Sequence, residues 1–285
     1  MSNVNNVSKE MNIKLIALDL DGTTLKNDKE ISKRTVDALE AAHDKGVHVV
    51  IATGRGFKSV PDNVKSVKGI EYVVCANGAN IRRAADGELI YQSLIGEKET
   101  MDIVEYLKQS GRSAEVFIDG RAYIGQKEYD DVVTGRVTFR SKDYVTKTRI
   151  PVDDVVALAE KHAGEIENIS IFYENIDEKP IIWEELSVLQ NVTVTSSFPY
   201  NIEIGGEGTS KASALAKLAE QLGVKKEEMM CCGDSLNDMA MLKVAGLAVA
   251  MANAEPAVKG VADYVTDTNE NDGVAKAVEK FVLGM

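Results

Sequence analysis

Four times along this chain a short, almost wholly apolar run stops at a cluster of acids, hydroxyls, amides or glycines. L-I-A-L at 15–18 leads into D-L-D-G-T, and V-H-V-V-I-A at 47–52 leads into T-G-R. Y-V-V-C-A at 72–76 leads into N-G-A, and M-M-C-C at 229–232 into G-D-S-L-N-D. Apolar runs without polar alternation are what strands need when both faces of a parallel sheet are covered. Between the first two runs, Val36, Leu39 and Ala42 recur at helical spacing, with Ser32 placed to cap the helix and Gly46 to end it. Strand, helix and strand with polar turns at the strand ends predict an open α/β sheet, whose ligands bind beyond the carboxyl ends of its strands.

From about Ala84 the pattern changes. Asp119-Gly120 between E-V-F-I and R-A-Y-I predicts a hairpin. Further strands are expected at Ile169–Tyr173 and Val192–Thr195, and helices near 98–110, 153–163 and 180–190. Hairpins and helices without strict alternation predict a separate α+β unit inserted into the first. After Ile204 the first pattern returns. Thr209 or Ser210 can cap a helix through Leu215, Leu218 and Leu222 to Gly223, another strand is expected from Leu247, and a helix over Gly273–Leu283 closes the chain. The expected organisation is a polar, flexible tail over 1–11, a doubly wound, Rossmann-like parallel-sheet core over 12–83 and 198–285, and an α+β cap over 84–197.

Composition narrows the partners. With 285 residues the chain can bury two cores, and nothing in it approaches the roughly 18 consecutive apolar residues of a membrane span. A net charge of −12 opposes binding to nucleic acid or anionic membranes. The start, M-S-N-V-N-N-V-S-K-E-M-N, has neither the apolar stretch nor the positive flank of a secretion signal. Cys75, Cys231 and Cys232 form no C-x-x-C pair, so reduced, buried thiols and a cytoplasmic location are expected. No oligomeric state is legible.

The chemistry starts from Asp19 and Asp21. Side chains two apart on an extended strand point the same way, and two unit charges about 4 Å apart repel by roughly 4 kcal/mol at an effective dielectric near 20. A cation is needed. If the strand ends are neighbours, Asp19, Asp21, Thr53, Asp234 and Asp238 converge on one crevice, and such hard oxygen ligands favour Mg²⁺. A calcium loop counted from Asp19 has Thr24 where glycine is required, and G-T-S-K at 208–211 lacks the spacing of a phosphate-binding P-loop. G-x-S-x-G is absent, and His43, His48 and His162 have no evident triad partners. Acids that merely cap turns explain any one motif, but not easily all of them in order.

D-L-D-G-T, A-T-G-R, T-S-K-A-S-A-L and G-D-S-L-N-D together resemble the four ordered motifs of the haloacid dehalogenase-like phosphatases, in particular the Cof-type, subclass IIB hydrolases. The likeness spans the core, with N-G-A at 77–79 and I-E-I at 202–204 in the same style; in the cap it rests on length and placement. Lys211 precedes Ala212, where the family often has glycine. The resemblance implies that Asp19 is a nucleophile forming an aspartyl-phosphate and that Asp21 protonates the leaving alcohol, then activates water. It implies Mg²⁺ on Asp19, the backbone carbonyl of Asp21, and Asp234, with Asp238 supporting the metal shell or orienting Lys211. Thr53 and Gly54 would bind phosphate oxygens, with Lys211 neutralising transition-state charge. Asn237 would hold a phosphate oxygen or the metal shell, and Arg55 either the substrate or a cap-facing or surface salt bridge. The expected activity is hydrolysis of a small phosphorylated metabolite, a sugar phosphate first and pyridoxal phosphate next. A phosphomutase and a low-activity phosphosugar-binding or regulatory protein remain alternatives.

Overall fold

Asp19 and Asp234 both follow strands that lie side by side at the centre of an eight-stranded sheet. The sheet runs Tyr264–Val265, Leu247–Ala250, Met229–Gly233, Leu15–Leu18, His48–Ala52, Ile70–Cys75, Asn80–Arg83, Leu89–Gln92. Its first six strands are parallel and the last two antiparallel. The computed structural model describes residues 12–285, so the tail expected over 1–11 lies outside the described residues. From Leu15–Leu18 the chain winds outward through two further parallel strands, and after a second, inserted unit it re-enters on the other side at Met229–Gly233. The order therefore reverses beside Leu15–Leu18, which opens a crevice at the carboxyl ends of the strands. Leu15–Leu18 is wholly buried, as an uninterrupted apolar run in a doubly covered sheet must be.

The helices that flank this sheet follow their sequence signals. Ser32 caps Lys33–Asp44 by accepting from the Thr35 amide. Ser210 rather than Thr209 caps Lys211–Leu222, in a reciprocal box with Ser213, and Gly223 ends that helix in a left-handed conformation. A Cβ on Gly78 would stand 2.1 Å from the Ser210 carbonyl oxygen. Glycine there lets the turn after Ile70–Cys75 touch the start of Lys211–Leu222, which docks Lys211 over the strand ends.

A second, six-stranded sheet runs Val192–Thr195, Asn201–Gly206, Asn168–Phe172, Ser113–Ile118, Arg121–Gly125, Arg149–Val152, antiparallel except for its last pair. The Asp119-Gly120 hairpin forms as expected, both residues having positive φ. One face of this sheet packs Ala114, Val116, Ile169, Ile171, Ile202 and Ile204 into a core of their own, covered by helices Glu97–Ser110, Val155–Lys161 and Lys179–Ser187. The other face looks onto the crevice.

Both boundaries expected at 84–197 shift. Leu89–Gln92 pairs within the eight-stranded sheet, and Asn201–Gly206, expected in the core, pairs within the six-stranded one. The chain crosses between the units at Ser93–Ile95 and returns at Gly206–Thr209. There Ser93 Oγ lies 2.8 Å from Thr209 Oγ1, and a Cβ on Gly206 would meet the Leu94 carbonyl oxygen at 2.4 Å. The physical reason is register: Ile202 and Ile204 alternate with Glu203 on a half-polar sheet, whereas turn residues at 84–88 only bend the chain between two core strands. Helices Gln126–Val133 and Lys142–Thr148 and the strand Arg149–Val152 are additional to the expected elements, although Tyr129, Val132 and Val133 recur at helical spacing in the first of them.

Candidate active site

The loop after Leu15–Leu18 is built to present acids. Gly22 has φ +81°, and a Cβ there would sit 2.6 Å from Asp234 Oδ2, so glycine lets the loop close on Asp234. Thr23 Oγ1 donates to Asp234 Oδ1 at 2.8 Å, Ser235 Oγ donates to Asp234 Oδ2 at 3.0 Å, and Thr24 Oγ1 donates to the Asp19 carbonyl at 2.6 Å. Gly233 makes room in the same way, since a Cβ would stand 2.6 Å from the Asp238 carboxyl.

At the centre Lys211 Nζ donates to Asp19 Oδ1 at 2.5 Å and to Asp238 Oδ1 at 2.7 Å, and Lys211 and Asp238 are fully buried. Asp238 Oδ2 accepts the amides of Asp234 and Ser235 at 2.9 and 3.0 Å. Both oxygens of Asp238 are thus engaged by protein groups, which makes it the anchor for Lys211. Burial pushes the Asp19 carboxyl well above its ordinary range, reinforced by Asp238 and opposed by Lys211. Burial and then Asp238 push Asp234 up to about 6. Lys211 is raised, because Asp19 and Asp238 outweigh the opposing effect of burial.

Three carboxylates competing for one ammonium leave negative charge unbalanced. One oxygen each of Asp19, Asp234 and Asp238 lies within 4.8 Å of the others. With Asp238 committed to Lys211, this donor set fits a small hard cation held by Asp19 and Asp234.

Asp21 has a different environment. Arg55 grips it with both arms, Nε to Oδ2 and Nη2 to Oδ1, each at 2.7 Å, and Lys29 adds a 3.1 Å contact. Burial raises the Asp21 carboxyl, but Arg55 and Lys29 prevail and hold it at about 2. Arg55 is no surface residue. It is 5% exposed, donates to the Ser59 carbonyl at 2.9 Å, and lies 4.9 Å from the ring centre of Tyr144 in the second unit. Thr53 Oγ1 accepts the Arg55 amide at 3.1 Å, and Asn237 donates to Asn77 Oδ1 at 2.9 Å. Asp19, Asp21, Thr53, Gly54, Arg55 and Asn237 all border one cavity of about 320 Å³ beneath the second sheet.

Several residues here carried a signal that motif reading passed over. On the sheet face toward the crevice, Glu115, Ser170 and Glu203 stand opposite one another across three strands. They are the polar members of A-E-V-F, I-S-I-F and I-E-I, where a buried strand alternates its faces. Glu115 is gripped by Arg149, with Nη2 to Oε2 at 2.8 Å, and by Arg140. Burial would raise Glu115, but Arg149 and Arg140 bring it below its ordinary range. Thr23 and Ser235 were passed over for want of a partner in sequence.

The fold and site define a two-unit α/β hydrolase with an acid-rich, lysine-anchored centre at the strand ends. The chain belongs to the haloacid dehalogenase-like hydrolases, which match it over residues 16–278. The 5-amino-6-(5-phospho-D-ribitylamino)uracil phosphatase of Bacillus subtilis is 34% identical over 96% of this chain and 98% of its own. The pyridoxal phosphate phosphatase of Escherichia coli is 26% identical over 96% of this chain and 100% of its own. A subclass IIB sugar phosphatase of the superfamily superposes with a TM-score of 0.79 at 27% identity, over 94% of this chain and 98% of that one. The expected family, fold and enzyme class are borne out. Among the described residues, no helix is long and apolar enough to cross a membrane.

Proposed function

We propose that the protein is a Mg²⁺-dependent phosphatase that hydrolyses small soluble phosphate monoesters, sugar phosphates among them, through an aspartyl-phosphate. The observation that carries this reading is the meeting of Asp19, Lys211 and Asp234 at the carboxyl ends of two adjacent strands. Asp19 attacks phosphorus, the bond to the leaving oxygen breaks, and Asp21 gives that oxygen a proton. Asp21 then takes a proton from water, whose oxygen attacks phosphorus, releasing phosphate and restoring Asp19. Held by Arg55, Asp21 is ionised, the form needed in the second step. Arriving phosphate competes for Arg55, whose fork suits phosphate as well as carboxylate, and frees Asp21 to carry a proton. Thr53 and Gly54 bind phosphate oxygens, and Lys211, anchored by Asp238, stabilises charge spreading over them. Asn237 borders the same phosphate position. Mg²⁺ on Asp19, the Asp21 carbonyl and Asp234 would lower the repulsion between nucleophile and phosphate dianion.

The second unit acts as the cap, between crossings at Ser93–Ile95 and Gly206–Thr209. Cys231 is buried, and burial pushes its thiol up to about 12, which leaves it unreactive and outside the chemistry. The test is phosphate release from a panel of phosphorylated metabolites, with Asp19→Asn as blank. Release should stop in excess chelator and return with Mg²⁺, with Ca²⁺ restoring it poorly. Release by Asp19→Asn at the wild-type rate would overturn the covalent route.

A further inference from the structure

Two asparagines outside the four motifs hold the loop that carries Asp19 and Asp21. Asn253 follows the strand Leu247–Ala250, and Asn269 follows Tyr264–Val265. Asn253 Nδ2 donates to the Gly22 carbonyl at 2.8 Å, while its Oδ1 accepts the Asn269 backbone amide at 3.0 Å. Asn269 Nδ2 in turn donates to the buried Leu25 carbonyl at 2.9 Å. A side-chain amide can give and accept at once without adding charge beside the acids. The same turn reaches the other acid-bearing loop. The Glu255 amide donates to the Asp234 carbonyl at 3.0 Å, and the Met251 amide to that of Gly233 at 3.1 Å. The short turn at 251–255 thus touches the loops of both Asp19 and Asp234.

Gly22 is where the two loops meet. A Cβ on it would stand 2.6 Å from Asp234 Oδ2, so the residue already abuts the opposing carboxylate. The planar peptide that joins Asp21 to Gly22 carries the Asp21 carbonyl, and pinning the Gly22 carbonyl limits how that peptide can turn. Mg²⁺ demands near-ideal octahedral geometry at about 2.0–2.1 Å, whereas Ca²⁺ accepts looser shells at about 2.3–2.6 Å. A displacement of about 0.3 Å between the loops is therefore enough to change which ion fits.

We propose that Asn253 is a positioning residue for the cation site. Together with the Glu255 amide on the Asp234 carbonyl, it fixes the spacing of the Asp19 and Asp234 loops to suit Mg²⁺, and Asn269 braces the far end of the first loop. This role rests on the phosphatase reading above and adds a determinant of the ion that is not itself a ligand.

Calorimetric titration of the full-length protein with Mg²⁺ and with Ca²⁺, as wild type and as Asn253→Ala, tests it. Asn253 is at the surface, so the variant should keep the wild-type circular dichroism spectrum and urea midpoint in chelator. Its dissociation constant for Mg²⁺ should rise by about tenfold, the scale of losing a group that orients metal ligands, while that for Ca²⁺ changes by less than about twofold. Phosphate release should fall at low Mg²⁺ and recover at high Mg²⁺, with the KM for the ester unchanged. Asn269→Ala should shift the Mg²⁺ constant in the same direction, and amide hydrogen exchange across 20–25 should be faster in both variants. Affinities for both ions that stay the same, or fall by the same factor, overturn the positioning role and leave the phosphatase reading intact. A wild-type protein that binds neither ion overturns the Mg²⁺ reading itself, and the role of Asn253 with it.

Discussion

Each unit of this molecule buries a cluster of opposite charges, and the two clusters are built with opposite balance. In the core, Lys211 stands between Asp19 and Asp238 with Asp234 close by, so acids outnumber the base and burial leaves Asp19 and Asp234 hard to ionise. In the cap, Glu115 stands between Arg140 and Arg149, so bases outnumber the acid and Glu115 ionises more readily than usual. A buried pair gains net stability only when its desolvation is repaid by close partners. The cap cluster meets that condition and holds its wall in place; in the core cluster Lys211 is paired with Asp19 and Asp238, and Asp234 stays close by without a basic partner. One cluster keeps negative charge in excess and the other keeps positive charge in excess.

The sharpest way to separate them is by activity. Asp19→Asn and Asp21→Asn should each lower turnover by at least the roughly 10²–10⁴-fold typical of losing one acid–base group, with an unchanged circular dichroism spectrum. Lys211→Met should cost roughly 10²–10³-fold in kcat. It would also leave Asp19 and Asp238 buried without their base, so lower stability by urea titration is expected in chelator.

Glu115→Gln probes the other cluster, and its main effect should be on stability. Leaving two buried guanidiniums without their carboxylate should cost about 3–5 kcal/mol, the range for breaking a buried ion pair. Loss of more kcat than stability would show that the cap cluster takes part in the chemistry.

The two clusters should also give opposite pH slopes. Glu115 is depressed in the folded state, so its stabilisation is present above the unfolded pKa and disappears as pH falls through the folded value. Asp234 is raised from 3.8 to about 6, so the chelated native state binds its proton more tightly than the unfolded chain and loses stability as pH rises across that interval. Cation binding should accordingly weaken below about pH 6, because the ion must displace that proton. Thermal melts in chelator and in Mg²⁺, from pH 4 to pH 8, read both slopes; curves of equal shape would erase the contrast.

The smallest effect is expected where the units meet at the surface. Lys58 Nζ lies 2.9 Å from Asp119 across the core–cap contact, but Asp119 is 66% exposed. Lys58→Ala should change stability by about 0–1 kcal/mol, as for other exposed pairs.

The sequence by itself determined the core and its chemistry. A strand covered on both faces must be an uninterrupted apolar run, and its polar end is the site, so Leu15–Leu18 with Asp19 and Met229–Gly233 with Asp234 are legible residue by residue. Lys211 is legible from the cap at Ser210 and the resemblance of its motif. What only the tertiary structure decided is the company each group keeps. Arg55 is a local motif residue, yet its pairing with Asp21 across 34 positions and its approach to Tyr144 depend on how two units fold together. Glu115 reads as one charge in a strand until Arg140 and Arg149 close on it from 25 and 34 positions away. The crossing at Gly206–Thr209 could not be placed because I-E-I suits either sheet, and strand pairing, made between distant residues, chose the cap. Local pattern selects the elements; burial and charge balance, which arise only between them, select what each acid does.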